Sequence, residues 1–147
     1  MFNILDTEAK HLDYAGFITR VLASIIDGLI FLVVLGLPLF VIGAAGASEE
    51  TVNAATGVVY LLAIVGGWIY EAMMHSSSKQ ATLGKMALGI KVADLEGKRI
   101  SFGRATARYF GKWLSGLICN IGYLIAAFTP KKQALHDIIA STVVVRN

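Results

Sequence analysis

Residues 28–48 of this chain read GLIFLVVLGLPLFVIGAAGAS and contain no Asp, Glu, Lys or Arg. Residues 51–70 and residues 113–130 are also free of these four residue types. The three windows are 21, 20 and 18 residues long, and a helix needs about 20 predominantly apolar residues to cross a bilayer. We therefore predict an integral membrane protein that is built from helices.

The composition of the whole chain agrees with this prediction. Of its 147 residues, 56% are hydrophobic and 16% are charged, and the mean hydropathy is +0.66. An average soluble domain is roughly 45–50% apolar and 25% charged. With a mass of 15.7 kDa, residues 1–147 have room for a single membrane domain and for no separate catalytic module. Ser115 and Cys119 have no neighbouring base that would activate a nucleophile, so we do not expect an enzyme.

The first uncharged window belongs to a helix that we expect to run from about Gly16 to about Ala47. Pro38 lies within it and removes a backbone donor, which leaves the carbonyl group of Val34 without its usual partner and predicts a kink. Residues 43–47, GAAGA, are similar to a signal-peptidase site. We prefer an uncleaved anchor, because the apolar stretch is long and follows 27 residues that include charged side chains.

A second helix is expected from about Val52 to His75, after a short connection, residues 48–53, that contains two glutamates. The segment that follows, residues 76–112, contains eight basic residues against two acidic ones. The positive-inside rule places such a segment in the cytoplasm. Residues 1–15 are then cytoplasmic as well, and the connection between the two helices faces outward.

Two features are predicted within the basic segment. Residues 89–94 and 99–102 alternate around a turn at residues 95–98, which is typical of a β-hairpin. Three basic residues then follow at steps of four, which places them on one stripe of a helix: Arg104, Arg108 and Lys112. Aromatic residues lie beside the stripe, as in a helix that lies along an anionic membrane surface.

Residues 113–130 allow two topologies. A complete crossing would place Lys131 and Lys132 outside the cell, against the positive-inside rule. A helix that breaks near residues 120–122 and re-enters keeps both ends in the cytoplasm, and it lets the Val-rich residues 141–146 join the hairpin as a strand. We favour this broken third element over a full third helix. The predicted fold is an all-α integral membrane fold with two transmembrane helices, a broken third helix and a small cytoplasmic β-hairpin.

Three charged residues lie in membrane segments, where a charge at the centre of a spanning helix costs about 2.5–3.5 kcal/mol or more. They are Arg20, Asp27 and Glu71. Arg20 lies near the start of the first helix and Glu71 near the end of the second, so we expect these two side chains to pair. Asp27 lies about two turns deeper, level with residues 66–68, where glycines leave space for a cation, a water molecule or a basic side chain of the 104–112 stripe.

The same three residues support two interpretations. In the first, they form a structural network that locks the helices together, because buried ion networks often specify packing. In the second, Asp27 exchanges protons or cations, because burial favours protonation of a carboxyl group and lets protons compete with cations. The residues leave both interpretations open.

Several short motifs along the chain resemble the RDD family of small prokaryotic membrane proteins. The resemblance covers about residues 14–145 and rests, besides Arg20 and Asp27, on these motifs: Thr82-Leu83-Gly84-Lys85, Gly89-Ile90-Lys91-Val92, Gly97, Arg104 with Arg108, His136-Asp137 and Thr142-Val143-Val144. The family name refers to one arginine and two aspartates, which correspond here to Arg20, Asp27 and Asp137. The resemblance implies an inner-membrane protein, and some members of the family are linked to sodium/proton antiport.

The resemblance adds Asp137 to the candidate ion- or proton-binding residues Arg20, Asp27 and Glu71. From the residues alone, Asp137 is either half of an ordinary surface pair with His136 or a carboxylate folded back toward the arginines of the first helix and of the basic stripe. A re-entrant third segment permits the second alternative, because it keeps Asp137 on the same side of the membrane as those arginines.

Two functional hypotheses follow. The first is a small transport protein that exchanges a cation, such as sodium, for protons by means of its intramembrane carboxylates. The second is a non-transporting scaffold or accessory protein that binds lipid or partner membrane proteins. Under both we expect a multi-pass protein of the inner membrane with a cytoplasmic N-terminus, contact with anionic lipids and self-association. No cofactor, metal site or nucleic-acid partner is predicted, because the required motifs are absent and the basic residues lie next to membrane segments.

Overall fold

The computed structural model describes residues 12–118 and 121–147. The predicted interfacial position of residues 1–15 therefore falls largely outside the described residues. The described part is mainly helical and contains two short strands. Its elements are α1 (Phe17–Phe31), a π-helical turn (Leu32–Gly36), α2 (Leu37–Ala44), α3 (Glu49–Ser76), α4 (Leu83–Ala87), β1 (Ile90–Asp94), α5 (Phe102–Leu117), α6 (Ile121–Leu124), a 3-10 turn (Ile125–Ala127), α7 (Leu135–Ala140) and β2 (Thr142–Arg146).

Two helical segments are long and apolar enough to cross a membrane. The first is the continuous run Phe17–Ala44, and the second is α3; each has 28 residues. Such a helix is about 42 Å long, which exceeds the roughly 30 Å of a hydrocarbon core. Large apolar side chains along the first segment point outward, with Leu32 65% and Phe40 71% exposed, as expected for side chains that face lipid. The two predicted transmembrane helices are thus confirmed in length and composition.

The first segment is disturbed where the sequence predicts it. Residues 32–36, immediately before the turn that contains Pro38, form the π-helical turn. Because Pro38 has no N–H group, the carbonyl group of Val34 loses its usual donor, and a wider turn is one way in which a helix absorbs such a break. Pro38 then lies in the first turn of α2, where proline is well tolerated.

The second segment starts with a well-formed cap. The hydroxyl of Ser48 accepts a hydrogen bond from the backbone N–H of Thr51 at 3.3 Å, which satisfies one of the free donors at the helix start. Glu49 and Glu50 lie in the first turn, where negative charge is favoured by the helix dipole. These contacts explain why the connection between α2 and α3 is short and acidic.

The two strands form an antiparallel pair in which Val92 lies opposite Val144. Residues 13–15 run along the opposite edge of β2, where Tyr14 forms a bridge with Val145. The strand β2 therefore joins the segment that precedes the first long helix to the segment that follows the second. These parts of the chain consequently lie at the same end of the two long helices.

The predicted hairpin is wrong in its second strand. The chain does turn after β1, and the carboxylate of Asp94 accepts hydrogen bonds from two backbone N–H groups of the turn. Residues 99–102 do not form a strand, because Ser101 accepts a hydrogen bond from the backbone N–H of Arg104 at 3.2 Å and thereby caps α5. The place beside β1 is taken by β2, whose Val-rich sequence predicts a third strand of the hairpin.

The buried core lies where the sheet packs against the helices. Ile90 and Val92 of β1 and Val144 of β2 are fully buried, and they pack against small residues: Ala15, Ala23, Ala72 and Ala105. Trp68 and Leu88 pack against this cluster from its side. The core fixes the ends of the long helices relative to the sheet, which positions the charged side chains described below.

The helix α5 and the residues after it form the bent third element. Residues 121–127 run at 116° to α5, which agrees with the predicted break, although Asn120 itself lies outside the described residues. After this element the chain continues into β2, which lies beside residues 13–15 at the end from which α1 starts. The arrangement supports the re-entrant topology over a complete third crossing.

Candidate functional site

The carboxylate of Asp137 lies at the centre of a buried charge cluster. One oxygen accepts a hydrogen bond from Nη1 of Arg20 at 2.6 Å and the other from Nε of Arg108 at 2.8 Å. The backbone N–H of Ala134 donates to Oδ2 at 3.1 Å, and the hydroxyl of Thr142 donates to Oδ1 at 3.3 Å. The cluster ties α1, α5, α7 and β2 together. Of the two alternatives for Asp137, the structure shows the one in which it folds back toward the arginines.

Two local features bring Asp137 into this position. It is the third residue of α7, where a carboxylate reaches back to the N–H of the residue that precedes the helix. Gly111 of α5 lets α7 approach closely, because a Cβ atom at Gly111 would lie 3.0 Å from the Cβ of His136. Arg104 secures the other end of α7 by donating to two carbonyl groups there, including that of Ala140 at 3.1 Å.

Glu71 forms a second acidic centre next to the first. Its carboxylate is bonded to Nζ of Lys112 and lies 3.6 Å from Nη1 of Arg108 and 3.5 Å from Nδ1 of His75. The guanidinium of Arg108 therefore bridges the carboxylates of Glu71 and Asp137. Through this bridge α3 is connected to the same network as α1 and α7.

The predicted ion pair between Arg20 and Glu71 is wrong. Arg20 pairs with Asp137, because α7 folds back and brings a carboxylate within 2.6 Å of its guanidinium. Glu71 is instead reached from α5 by Lys112. Matching the depths of α1 and α3 could not reveal these partners, since both lie on elements outside the two long helices.

The basic stripe of Arg104, Arg108 and Lys112 faces the interior of the protein. Arg108 is only 2% exposed, so the expectation that this stripe lies against a lipid surface is wrong. The opposite face of α5 carries Phe110 and Trp113, which are 48% and 49% exposed. The helix therefore presents aromatic side chains outward and basic side chains to the charge cluster.

Asp27 forms a separate site beside α4. Its carboxylate accepts hydrogen bonds from the hydroxyl of Thr82 at 2.6 Å, the N–H of Gly84 at 2.8 Å and the hydroxyl of Tyr70 at 3.2 Å. All three donors are uncharged, and within residues 12–118 and 121–147 no ion pair to Asp27 is found. Gly67 lines the cavity next to Asp27, which agrees with the prediction that Asp27 lies level with residues 66–68.

The close approach of α4 to α1 depends on Gly84. A Cβ atom at this position would lie 2.1 Å from the carbonyl oxygen of Ala23 and 2.9 Å from Cγ of Asp27, so no side chain fits. The motif of residues 82–85 thus has a physical explanation. The hydroxyl of Thr82 donates to the carboxylate of Asp27. Gly84 allows α4 to contact α1, and its backbone N–H is a second donor to Asp27. Lys85, which follows Gly84, is buried in the interior.

Two cavities flank these residues. The smaller has a volume of about 260 Å³, and its lining includes Asp27 and Glu71. The larger has a volume of about 610 Å³, and its lining includes four basic residues: Arg20, Lys85, Arg108 and Lys112. Ser24, Lys85 and Lys112 line both cavities. In the part of the chain that the structure describes, no three His, Cys, Asp or Glu side chains are grouped to hold a metal ion.

Lys85 is a site residue that the sequence does not single out by charge pattern or periodicity. It is buried, and its Nζ lies 3.5 Å from Oγ1 of Thr82. Burial and, after it, the charge of Lys112 lower the pKa of Lys85 to about 7. At neutral pH this side chain is therefore close to exchanging its proton. Its place in the motif of residues 82–85 is the one sequence signal that points to it.

Two buried histidines adjoin the cluster within the described residues, His75 and His136. The ring of His136 packs against that of Tyr123, with centroids 5.1 Å apart. Burial and the charge of Arg108 lower the pKa of His136 to about 3, so its ring is neutral at neutral pH. Burial alone would raise the pKa of Asp137, but the opposing effect of Arg108 above all holds this pKa below its ordinary value.

Comparison with known proteins places this architecture in a family. The sequence model of the RDD family matches residues 14–141. The uncharacterized protein YxaI of Bacillus subtilis (strain 168) is 40% identical to this chain, over 89% of this chain and 96% of YxaI. The uncharacterized membrane protein YteJ of the same strain is 33% identical, over 90% of this chain and 80% of YteJ.

A more distant relative is the proline-rich antigen homolog of Mycobacterium tuberculosis (strain ATCC 25618 / H37Rv). It is 29% identical, over 90% of this chain and 63% of the antigen homolog. No solved structure matches the chain. Because the family model covers nearly the whole described region, including the residues that form the charge cluster, this chain belongs to the RDD family.

Proposed function

We propose that this RDD family membrane protein is a small transport protein of the prokaryotic inner membrane. A monovalent cation, such as sodium, binds Asp27 and is exchanged for a proton that Lys85 carries. The observation that carries this proposal is the setting of Asp27. Its carboxylate lines the smaller cavity and is held by three uncharged donors instead of an ion pair. A carboxylate that has no fixed ion pair leaves room for a mobile cation to act as its counter-charge.

The oxygen atoms around the smaller cavity suit a small alkali cation. Asp27 contributes the negative charge, and the hydroxyl groups of Ser24, Tyr70 and Thr82 belong to residues that line the same space. Hard cations prefer carboxylate, hydroxyl and carbonyl oxygen. Glu71 lines the cavity as well, but a lysine of α5 already neutralises it, which leaves Asp27 as the binding group.

Lys85 supplies the proton in this proposal. It lines the same cavity, and its pKa of about 7 allows it to release a proton near neutral pH. A monovalent cation that binds Asp27 adds positive charge next to Lys85 and favours loss of the proton. When the cation leaves, Lys85 takes up a proton again. One cation is then exchanged for one proton, and the net charge of the cavity stays the same.

The proposed topology has the basic residues 76–112 and the N-terminus in the cytoplasm, as the positive-inside rule favours. Transport also requires self-association, because two spanning helices enclose no continuous polar path on their own. Gly28 and Gly66 support this step: open space surrounds both positions, and glycines allow close approach of a helix from a second copy.

Proton flux into proteoliposomes tests the proposal. The native chain is reconstituted with a pH-sensitive dye inside the vesicles, and a gradient of sodium, potassium or lithium is imposed. We expect at least one alkali cation to drive proton flux, and we expect Asp27→Asn and Lys85→Gln to abolish it. Lys98→Gln is the matched control, because Lys98 is an exposed lysine that lines neither cavity.

Two results would contradict the proposal. The transport function is excluded if the native chain gives no flux above that of empty vesicles in any alkali cation. Native flux in Asp27→Asn would leave transport intact and remove Asp27 from its assigned role. Thermal unfolding of each variant in detergent accompanies these measurements, so that loss of flux is separated from loss of the fold.

The second candidate is a non-transporting scaffold or accessory protein that binds lipid or partner membrane proteins. The buried contacts of Asp137 with Arg20 and Arg108 favour it, because they join four elements and serve the packing of the chain. Under this role, Arg20→Ala and Asp137→Asn lower thermal stability non-additively, since they break one shared network, and the native chain shows no flux. Small independent effects would count against a shared network.

A further inference from the structure

We propose that the larger cavity binds the anionic headgroup of a phospholipid, with an acyl chain lying along the apolar part of the cavity. Its volume of about 610 Å³ falls within the range of about 300–1,000 Å³ that is typical of small-molecule sites. The site shares Ser24, Lys85 and Lys112 with the smaller cavity that contains Asp27. The proposal is independent of cation exchange and holds whether or not the chain transports an ion.

The charges around the larger cavity favour an anion. Four basic side chains line it, and no Asp or Glu within the described part of the chain does. Two carboxylates are paired with these cations, those of Glu71 and Asp137. Positive charge is therefore in excess around the cavity, and a phosphodiester, which carries one negative charge, reduces that excess.

Two buried nitrogen atoms on residues that line the cavity have no hydrogen-bond partner among the described residues, Nη2 of Arg20 and Nδ1 of His136. Arg20 uses Nη1 for Asp137 and Nε for the carbonyl of Ala15, so Nη2 is left as a donor. A neutral imidazole has one donor and one acceptor nitrogen, and Nε2 of His136 lies 3.7 Å from Oδ1 of Asp137, which favours Nε2 as the donor. Buried polar atoms are normally paired, and a phosphate oxygen is a suitable partner for Nη2 of Arg20.

Apart from Ser24, Tyr123 and His136, the remainder of the lining is apolar. It includes Phe17, Val21 and Ile25 of α1, together with Leu124 and Ala126 of the bent element. Val21, Ile25 and Leu124 are partly exposed on the surface of the protein. The cavity is therefore accessible from the face that contacts lipid, and an acyl chain reaches it without crossing a polar surface.

The order of residues along α1 agrees with the orientation of a lipid. Arg20 is the fourth residue of α1, so the basic part of the cavity lies near the membrane boundary, where headgroups are located. Val21 and Ile25 follow it toward the apolar interior. A free phosphate ion would occupy the basic part only, whereas a phospholipid occupies both parts.

Native mass spectrometry of the purified chain in a mild detergent tests the proposal. The chain is titrated with phosphatidylglycerol and, separately, with phosphatidylcholine of the same acyl composition. We expect one phosphatidylglycerol molecule to be retained with an affinity about tenfold above that of phosphatidylcholine, because charge-assisted hydrogen bonds to the headgroup are worth such a factor. Inorganic phosphate alone should not raise the thermal stability of the chain.

Two pairs of variants locate the site. Ser24 lines the cavity and bonds to the backbone of Arg20, so Ser24→Glu places a negative charge beside the headgroup and weakens phosphatidylglycerol binding about tenfold. Ser24→Gln has nearly the same size and retains binding. Val21→Trp fills the apolar part and blocks the acyl chain. Val58→Trp is its control, because Val58 is an exposed residue that lines neither cavity.

Three outcomes would overturn the proposal. The first is equal retention of the two lipids by the native chain. The second is phosphatidylglycerol binding that survives both Ser24→Glu and Val21→Trp, because the lipid would then occupy another surface. The third is stabilisation by inorganic phosphate equal to that by phosphatidylglycerol, which would assign the cavity to a free anion. The comparison of the two lipids on the native chain decides the proposal even if a variant does not fold.

Discussion

The Nε atom of Arg108 lies 2.8 Å from a carboxylate oxygen of Asp137, and both side chains are almost completely removed from solvent. A buried pair of this kind is worth little relative to a well-packed apolar pair, but removing one partner leaves the other charge unpaired in the interior. The same carboxylate also neutralises Arg20. Loss of the Asp137 charge therefore leaves two guanidinium groups without their main partner.

We expect Asp137→Asn to lower the free energy of unfolding by about 3–5 kcal/mol. Thermal and denaturant unfolding of the purified chain in detergent measures this loss. Glu96→Gln is the control, because it breaks an exposed ion pair with Lys98. The separation of that pair, 2.6 Å, equals the separation between Arg20 and Asp137. The exposed pair should contribute about 1 kcal/mol or less. Equal losses in the two variants would show that burial does not decide the importance of the Asp137 contacts.

A methyl group at Gly84 should separate α4 from α1. Because the new Cβ atom would lie 2.1 Å from the backbone of Ala23, we expect Gly84→Ala to cost about 1–3 kcal/mol or more of stability. Gly57→Ala is the control, since Gly57 lies inside α3, nothing lies within 4 Å of a Cβ atom there and alanine is favoured over glycine inside a helix. Unfolding in detergent compares the two, and a harmless Gly84→Ala would contradict the close packing of α4 on α1.

Lys85 gives the folded chain a specific dependence on pH. Its pKa is about 7 when folded and 10.5 when unfolded, so between these values the unfolded chain binds a proton that the folded chain does not. The free-energy cost of burying the protonated amine of Lys85 lowers the stability of the folded chain by its full amount below about pH 7. This cost decreases as the pH rises above 7. The melting temperature of the native chain relative to Lys85→Met should therefore rise from about pH 7 to about pH 9.

The same measurement on Lys79→Met provides the control, because Lys79 is exposed. The difference between that variant and the native chain should stay constant over the same pH range. A relative melting temperature of Lys85→Met that is independent of pH would show that Lys85 titrates at its ordinary value and is not desolvated in the membrane protein.

The position of β2 predicts the topology of the chain. Because β2 pairs with β1 and contacts residues 13–15, reporters fused at the N-terminus and at the C-terminus should lie on the same side of the membrane. Fusions to a periplasmic-active enzyme and to a fluorescent protein that matures only in the cytoplasm measure this. Reporters found on opposite sides would require residues 102–127 to cross completely and would dismantle the pairing of β2.

The sequence predicts those parts of the fold that depend on composition and local chemistry. Uncharged windows of sufficient length identify the two long helices, and Pro38 identifies the disturbed turn. The Val-rich pattern of residues 141–146 predicts a strand that joins the hairpin, and the structure pairs residues 142–146 with β1. The second strand of the hairpin could not be excluded, since alternation over residues 99–102 does not reveal that Ser101 is better used as a helix cap.

Apart from Lys85, the charged residues of the candidate site are predicted from the sequence, but their contacts are not. A spacing of four residues correctly places Arg104, Arg108 and Lys112 on one face of α5, yet it does not state which face is buried. In water the basic face would be the exposed one. Next to a bilayer the aromatic face is the one that faces outward, and the basic face turns to the carboxylates.

The partner of Arg20 depends on a contact between residues 117 positions apart. The prediction compares the depths of charged residues in the two long membrane helices only, and it therefore pairs Arg20 with Glu71. Only the return of the chain through the bent element and α7 supplies Asp137, and this return depends on tertiary packing that a local pattern does not encode. Lys85 was missed for a related reason, because its burial results from the contact of Gly84 with α1.

Those 117 positions also impose an order on biogenesis. The ribosome delivers Arg20 to the membrane together with the first long helix, while the counter-charge that neutralises it is still to be translated. Both hydrophobic helices must therefore insert while the guanidinium of Arg20, at the membrane boundary, still lacks the carboxylate of Asp137. Completion of the C-terminal region is what converts an inserted but unfinished chain into a stable protein, and a chain arrested before Asp137 should be a substrate for membrane proteases.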